Sequence, residues 1–153
     1  MAFVLGLNAK TYQNTGTYGS PTWTLRGNVR DVTINLELAT ADVTTRGGGG
    51  YRQVLGTLAE GSIDFEMIYD TEDALFIALK DAFENRTLID MAFADGVLPN
   101  PGAGNTTTYF RAEFSVTNFT VNQPLEEAMT VSVSLSSGFS SNAPGFFDAV
   151  GSA

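Results

Sequence analysis

Strict alternation of apolar and polar side chains is what most restricts this chain. A period of two sorts residues onto the two faces of an extended strand and does not serve a helix. Val32, Ile34, Leu36 and Leu38 are interleaved with Thr33, Asn35 and Glu37. Over residues 62–69, Ile63, Phe65, Met67 and Tyr69 face one way and Asp64 and Glu66 the other. Phe110, Ala112, Phe114 and Val116 alternate with Arg111, Glu113 and Ser115, after which the phase slips to Phe119 and Val121. That slip places a β-bulge or twist near Thr117 or Asn118. Residues 128–139 give the cleanest pattern, with Met129, Val131, Val133 and Leu135 set against Thr130, Ser132, Ser134 and Ser136. Residues 88–94 read as a short, mostly apolar strand. The apolar start at residues 1–7 reads as a first strand, since it lacks the basic flank and long apolar run of a signal peptide.

One segment breaks the alternation. Leu75, Leu79, Ala82 and Phe83 recur at helical spacing, with Phe76 beside them, which predicts a helix of about four turns over residues 71–85. Asp70 or Thr71 is placed to cap it, and Glu72 and Asp73 suit the positive end of its dipole. The expected class is mainly β: strands, one helix, then strands. With 153 residues and no internal repeat, one domain spanning 1–153 is expected. No apolar run is long enough to cross a membrane as a helix.

Charge and missing residue types narrow the function. Seventeen acidic residues against eight basic ones give −9, which argues against the basic footprint of a sequence-specific nucleic-acid binder. There is no cysteine and no histidine, which removes a thiolate nucleophile, the commonest metal ligands and the usual acid–base group near neutral pH. Gly47–Gly50 lack the lysine and hydroxyl residue of a phosphate-binding loop, so a flexible connection is the better reading. The carboxylate pairs Asp64/Glu66 and Glu126/Glu127 have glycosidase chemistry open to them, but two residues apart on a strand is the ordinary spacing of a solvated face. Asp70, Glu72 and Asp73 lack the glycine and spacing of a calcium loop and fit helix capping. The sequons at Asn85, Asn105 and Asn118 read as chance. No catalytic, cofactor-binding or metal-binding residue is assigned. Trp23 and the eleven phenylalanines are expected to fill a core.

Two further segments are expected to lack fixed structure. One is a mobile loop at about 43–55, built around four glycines yet carrying Arg46, Tyr51 and Arg52. The other is a flexible C-terminal tail at about 139–153.

In order, these features resemble the major tail tube proteins of long-tailed bacteriophages. An alternating strand ends in Asp-Val-Thr-Thr-Arg at 42–46 and enters a glycine loop. A second alternating strand at 62–67 runs into Tyr69-Asp70 and the helix, and the final strand ends in Ser-Ser-Gly at 136–138. The resemblance covers roughly residues 20 to 140. It implies a β-sandwich or half-barrel of two antiparallel sheets with one flanking helix. It also implies a structural subunit that assembles into six-fold rings stacked as a hollow tube for genome delivery. Partners would be further copies of the chain, a tape measure protein and a tail terminator. The location would be the virion tail, with assembly in host cytoplasm. A capsid decoration or receptor-binding β-domain is the alternative, and a small carbohydrate-active enzyme the third reading.

Within the tube reading, ten polar-face residues are expected to line the lumen: Asp31, Thr33, Asn35, Glu37, Asp64, Glu66, Arg111, Glu113, Ser132 and Ser134. DNA would pass them without specific binding. Thr44, Thr45, Arg46, Gly47, Gly48, Gly49, Gly50, Tyr51 and Arg52 are expected to order between stacked rings, since arginine and tyrosine are favoured interface anchors.

Overall fold

The computed structural model describes residues 5–98, 101–138 and 140–151. Along the chain run β1 (Lys10–Asn14), β2 (Trp23–Leu25), β3 (Val29–Asp42), β4 (Val54–Ile68), α1 (Ala74–Asn85), β5 (Leu88–Ala94), β6 (Thr106–Asn122), β7 (Thr130–Ser137) and β8 (Gly145–Val150). Every pairing is antiparallel, in the order β2-β1-β5-β6-β7-β4-β3, with β8 added on β6. The sheets expected as two are continuous, and β6 is the reason. Tyr109, Phe110 and Arg111 pair with both β5 and β8, while Phe114 and Ser115 pair with both β5 and β7. A strand has only two edges, so β8 and β7 follow one another along the edge opposite β5.

The sheet curls. β4 and β5 are separated by β7 and β6, which in a flat sheet would put them ~14 Å apart at ~4.8 Å per strand. Yet the rings of Phe65 on β4 and Phe93 on β5 lie 6.3 Å apart. Only a strongly bent sheet brings them together, and the result is a half-barrel. Its concave side gathers Ile63, Phe65 and Met67 from β4, Val131, Val133 and Leu135 from β7, and Phe110, Ala112 and Phe114 from β6. These are the apolar positions of the alternation, and each except the small Ala112 contributes ~1.5–3 kcal/mol by leaving water.

Helix α1 closes the core with Leu75, Phe76, Leu79 and Ala82. It starts later than expected from the spacing, because Asp73 is the cap, accepting from the Phe76 N–H at 3.3 Å. Asp70 instead shapes the preceding turn, accepting from the Glu72 N–H at 3.0 Å. Phe83, expected in the core, is 46% exposed and stacks on Phe119 at the rim. The helix ends at Arg86, whose φ of 55° is left-handed, with the Thr87 N–H bonded to the Ala82 carbonyl.

The bulge expected in β6 falls between Val116 and Asn118. The expected first strand is not where the alternation put it. Residues 1–4 lie outside the described set, Gly6–Asn8 form a short 3-10 turn, and the first strand begins at Lys10. The tail is not wholly loose either. Gly145–Val150 form β8, because Phe146 packs on Phe110 and Phe147 on Tyr109. Residues 139, 152 and 153 of that tail lie outside the described set.

Candidate assembly site

The convex face of β3, β4, β7 and the second half of β6 is polar, and register shows which side chains share it. Thr33 is opposite Asp64, Asp64 opposite Ser134, and Ser134 opposite Asn118. A second row runs from Arg30 through Glu66 and Ser132 to Thr120. Asn35 and Glu37 extend the face along β3, with Glu60 opposite Glu37. Asp64 is held by donors on both sides, the Ser134 hydroxyl at 2.6 Å and the Asn35 amide at 3.1 Å. Arg30 reaches Glu66 at 3.7 Å, with both side chains solvated, so that ion pair contributes little to stability. Thr33, Asn35, Glu37, Asp64, Glu66, Ser132 and Ser134 therefore lie on one surface. Asn118, Thr120 and Asn122 belong with them in addition to the ten expected residues, and the phase slip at 117 is the signal in the sequence that places them there.

Three of the ten expected residues depart from this row. Asp31 sits in an irregularity of β3, between Arg30 and Thr33, with φ 47°. The bulge resets the alternation, so Arg30 takes the register position facing Glu66. Arg111 is only 7% exposed. Its Nη2 donates to Asp90 Oδ2 at 2.7 Å and to the Tyr18 carbonyl at 3.0 Å, and its Nε donates to Asp90 Oδ1 at 3.2 Å. The guanidinium carbon lies 3.7 Å from the centre of the Tyr18 ring and 4.8 Å from that of Trp23. Burial opposes its charge, but Asp90 outweighs that and holds the pKa above the ordinary arginine value. Glu113 accepts from Ser140 at 2.9 Å and Asn142 at 2.6 Å. Alternation assigned the correct face of β6 to both residues. It carried no information on the β1–β2 segment and the chain after β7, which cover that end of the face.

The β3–β4 hairpin leaves the body. Residues 31–40 and 51–60 are all exposed, on both faces. Leu36, Leu38, Val54, Leu55 and Leu58 are each more than half exposed. Leu38 lies across Gly56, where an added Cβ would come within 2.8 Å of it, and Leu36 lies across Gly61 at 3.3 Å. The glycines thus make room for the leucines to lie flat as an apolar strip, a kind of surface that soluble monomers rarely show. The outer edge of β3 has no strand paired to it among the described residues. It is 14 residues long, or ~46 Å, and carries neither lysine nor proline to guard it.

The hairpin ends in residues 43–53, slightly less than the loop expected. The loop is closed by the Val43 N–H to the Gln53 carbonyl at 3.0 Å and the Gln53 N–H to the Thr44 hydroxyl at 2.8 Å. Arg46–Gly48 form a 3-10 turn, and Gly49 and Gly50 follow at φ 68° and 86°, a conformation that other residues resist. Hydrogen bonds from the Thr44 side chain and backbone hold the Asp42 carboxyl below its ordinary pKa. Arg46, Tyr51 and Arg52 all point into solvent, Tyr51 at 77% exposure.

A family model described as phage tail tube protein matches residues 11–139. A sequence search of curated proteins finds no match. Among solved structures, the tail of an empty GTA particle, refined with C6 symmetry, superposes with a TM-score of 0.69 at 18% identity, covering 94% of this chain and 98% of the other. The SPP1 tail tube gives 0.65 at 14% identity, covering 96% and 79%. The anti-feeding prophage baseplate, 6-fold symmetrised, gives 0.53 at 10% identity, covering 91% and 90%. At these identities the likeness is one of fold.

Proposed function

The chain belongs to the phage tail tube protein family and is a structural tail tube subunit; from that premise we propose that six copies join edge to edge in a ring and that the rings stack into a conduit for the genome. The observation that carries this reading is the bare 14-residue edge of β3 beside a strip of exposed leucines. In a lone subunit both are liabilities, whereas a neighbouring copy in a closed ring pairs the first and covers the second. Six-fold closure follows the symmetry of the tail of the GTA particle.

The polar face then lines the lumen, with Thr33, Asn35, Glu37, Asp64, Glu66, Ser132 and Ser134 joined by Asn118 and Thr120. Its charges are Glu37, Glu60, Asp64 and Glu66 against Arg30, an excess that repels a phosphate backbone and lets DNA slide without sticking. The loop residues Thr44, Thr45, Arg46, Gly47, Gly48, Gly49, Gly50, Tyr51 and Arg52 make contacts between rings. The subunit performs no catalysis. Its other partners are a tape measure protein in the lumen and a terminator at the tube end. It assembles in host cytoplasm and ends in the virion tail.

Negative-stain microscopy of the concentrated, purified subunit tests this directly. Hollow tubes or rings are the expected result. Discrete monomers or trimers at every concentration would favour a decoration or receptor-binding domain instead.

A further inference from the structure

The ladder formed by β3 and β4 has two chemically opposite ends. At the tip, residues 43–59 contain no carboxylate, and Arg46 and Arg52 stand near Tyr51. At the other end, where β3 begins and β4 finishes, Arg30, Glu66, Ile68, Pro124, Glu127 and Ala128 help to line an open cleft of about 710 Å³. Glu126 and Glu127 are exposed in the turn between β6 and β7, next to a fully exposed Leu125. Among the described residues, none of Arg46, Arg52, Glu126 and Glu127 has an ion-pair partner. Unmatched cations thus occupy one pole of the ladder and unmatched carboxylates the other, separated by the ~46 Å run of β3.

Identical subunits stacked head to tail bring unlike poles together, because a heterologous contact joins two different patches of the same chain. We infer that the tip of each hairpin docks in the β4–β6–β7 cleft of a second copy in the adjacent ring. Tyr51 lies against Ile68, Pro124 and Ala128, and Arg46 and Arg52 meet Glu126 and Glu127. This rests on the stacked-ring reading and names the surface that receives the loop. A second groove, between α1 and β6, is lined by Lys80, Asp81 and Glu84, the same balance of charge as Arg30, Glu66 and Glu127 in the first; the exposed Glu126 beside the first cleft makes that end the more negative.

The absence of cysteine makes the test clean. Tubes are assembled from Tyr51→Cys/Ala128→Cys protein, oxidised mildly and run on a non-reducing gel. A single introduced cysteine yields dimers at most, whereas a head-to-tail contact between two different positions yields a ladder of multimers. The inference predicts that ladder, and its collapse on reduction. Intact tubes that remain monomeric on the gel would overturn it, as would a ladder from Tyr51→Cys/Phe83→Cys instead.

Charge exchange gives the second arm. Arg46→Glu/Arg52→Glu and Glu126→Arg/Glu127→Arg should each raise the concentration needed for tubes by roughly tenfold or more, and combining all four should restore assembly. Normal tubes from either one-sided variant, or no recovery in the combination, would contradict the docking. If the unmodified chain makes no tubes at all, the stacked-ring reading itself has failed, so the two failures are distinguishable.

Discussion

Arg111→Met removes a charge from beneath the β1–β2 segment and leaves its partner behind. The wild-type guanidinium gives two hydrogen bonds to Asp90, at 2.7 and 3.2 Å, and one to the Tyr18 carbonyl at 3.0 Å. The two charged side chains are 9% and 13% exposed, so water cannot replace what is lost. Breaking one side of such a buried pair costs ~3–5 kcal/mol. Loss of the contacts to Tyr18 and Trp23 adds ~1 kcal/mol. The Asn14 amide still donates to Asp90 at 2.8 Å, which offsets part of that cost. The expected loss is therefore ~3–5 kcal/mol, or a Tm lowered by roughly 6–20 °C at ~2–4 °C per kcal/mol for a domain of this size. Asp90→Leu/Arg111→Met should recover much of it, since replacing both partners by apolar groups is often neutral. Urea unfolding followed by circular dichroism at neutral pH, as a double-mutant cycle, measures all four states. A single-variant loss within ~1 kcal/mol of wild type, or losses that merely add, would refute the view that Arg111 is a buried clamp.

Leu79→Ala empties a fully buried position of α1 and should cost ~2–5 kcal/mol in the same assay; a loss below ~0.5 kcal/mol would mean that the wrong helix face has been assigned to the core. Arg86→Gly relieves a left-handed φ of 55° and should stabilise by about 0.5–1 kcal/mol, while any destabilisation contradicts the assigned helix end. Thr44→Ala should raise the Asp42 pKa towards its ordinary value of 3.8, read by NMR titration. The sign follows from a depressed folded pKa: the carboxylate's stabilisation is present above 3.8 and disappears as pH falls through the lower folded value. An unchanged Asp42 titration would mean that Thr44 does not hold it.

Much of the fold was legible because one face of nearly every strand is buried, which writes the period of two into the sequence. The bulge at Val116–Asn118 was readable for the same reason, since it shifted an apolar phase. The bulge at Asp31 was not, because β3 is exposed on both faces over residues 31–40 and neither phase is enforced by a core. The β8 strand hid among serine, glycine and alanine, with only Phe146 and Phe147 to signal packing. For the assembly surface, alternation sorted side chains by face and placed seven of the ten expected residues in one polar row. It could not report cover from distant chain, so Arg111, which reads as an exposed lumen charge, is buried against Tyr18 and Trp23. Because glycine disfavours order, the sequence predicts a glycine loop without fixed structure. The same left-handed freedom at Gly49 and Gly50 is what lets a tight, hydrogen-bonded tip form.

The central claim is that the bare edge of β3 and the polar face become, respectively, a seam and a lumen when copies assemble. A cryo-EM helical reconstruction of tubes grown from the purified subunit tests both at once. The account predicts six subunits per ring, β3 hydrogen-bonded to a strand of its neighbour, and Thr33, Asn35, Asp64, Glu66, Ser132 and Ser134 facing the channel. A tube in which β3 keeps a solvent-exposed edge, or in which those side chains face the outer wall, would contradict it.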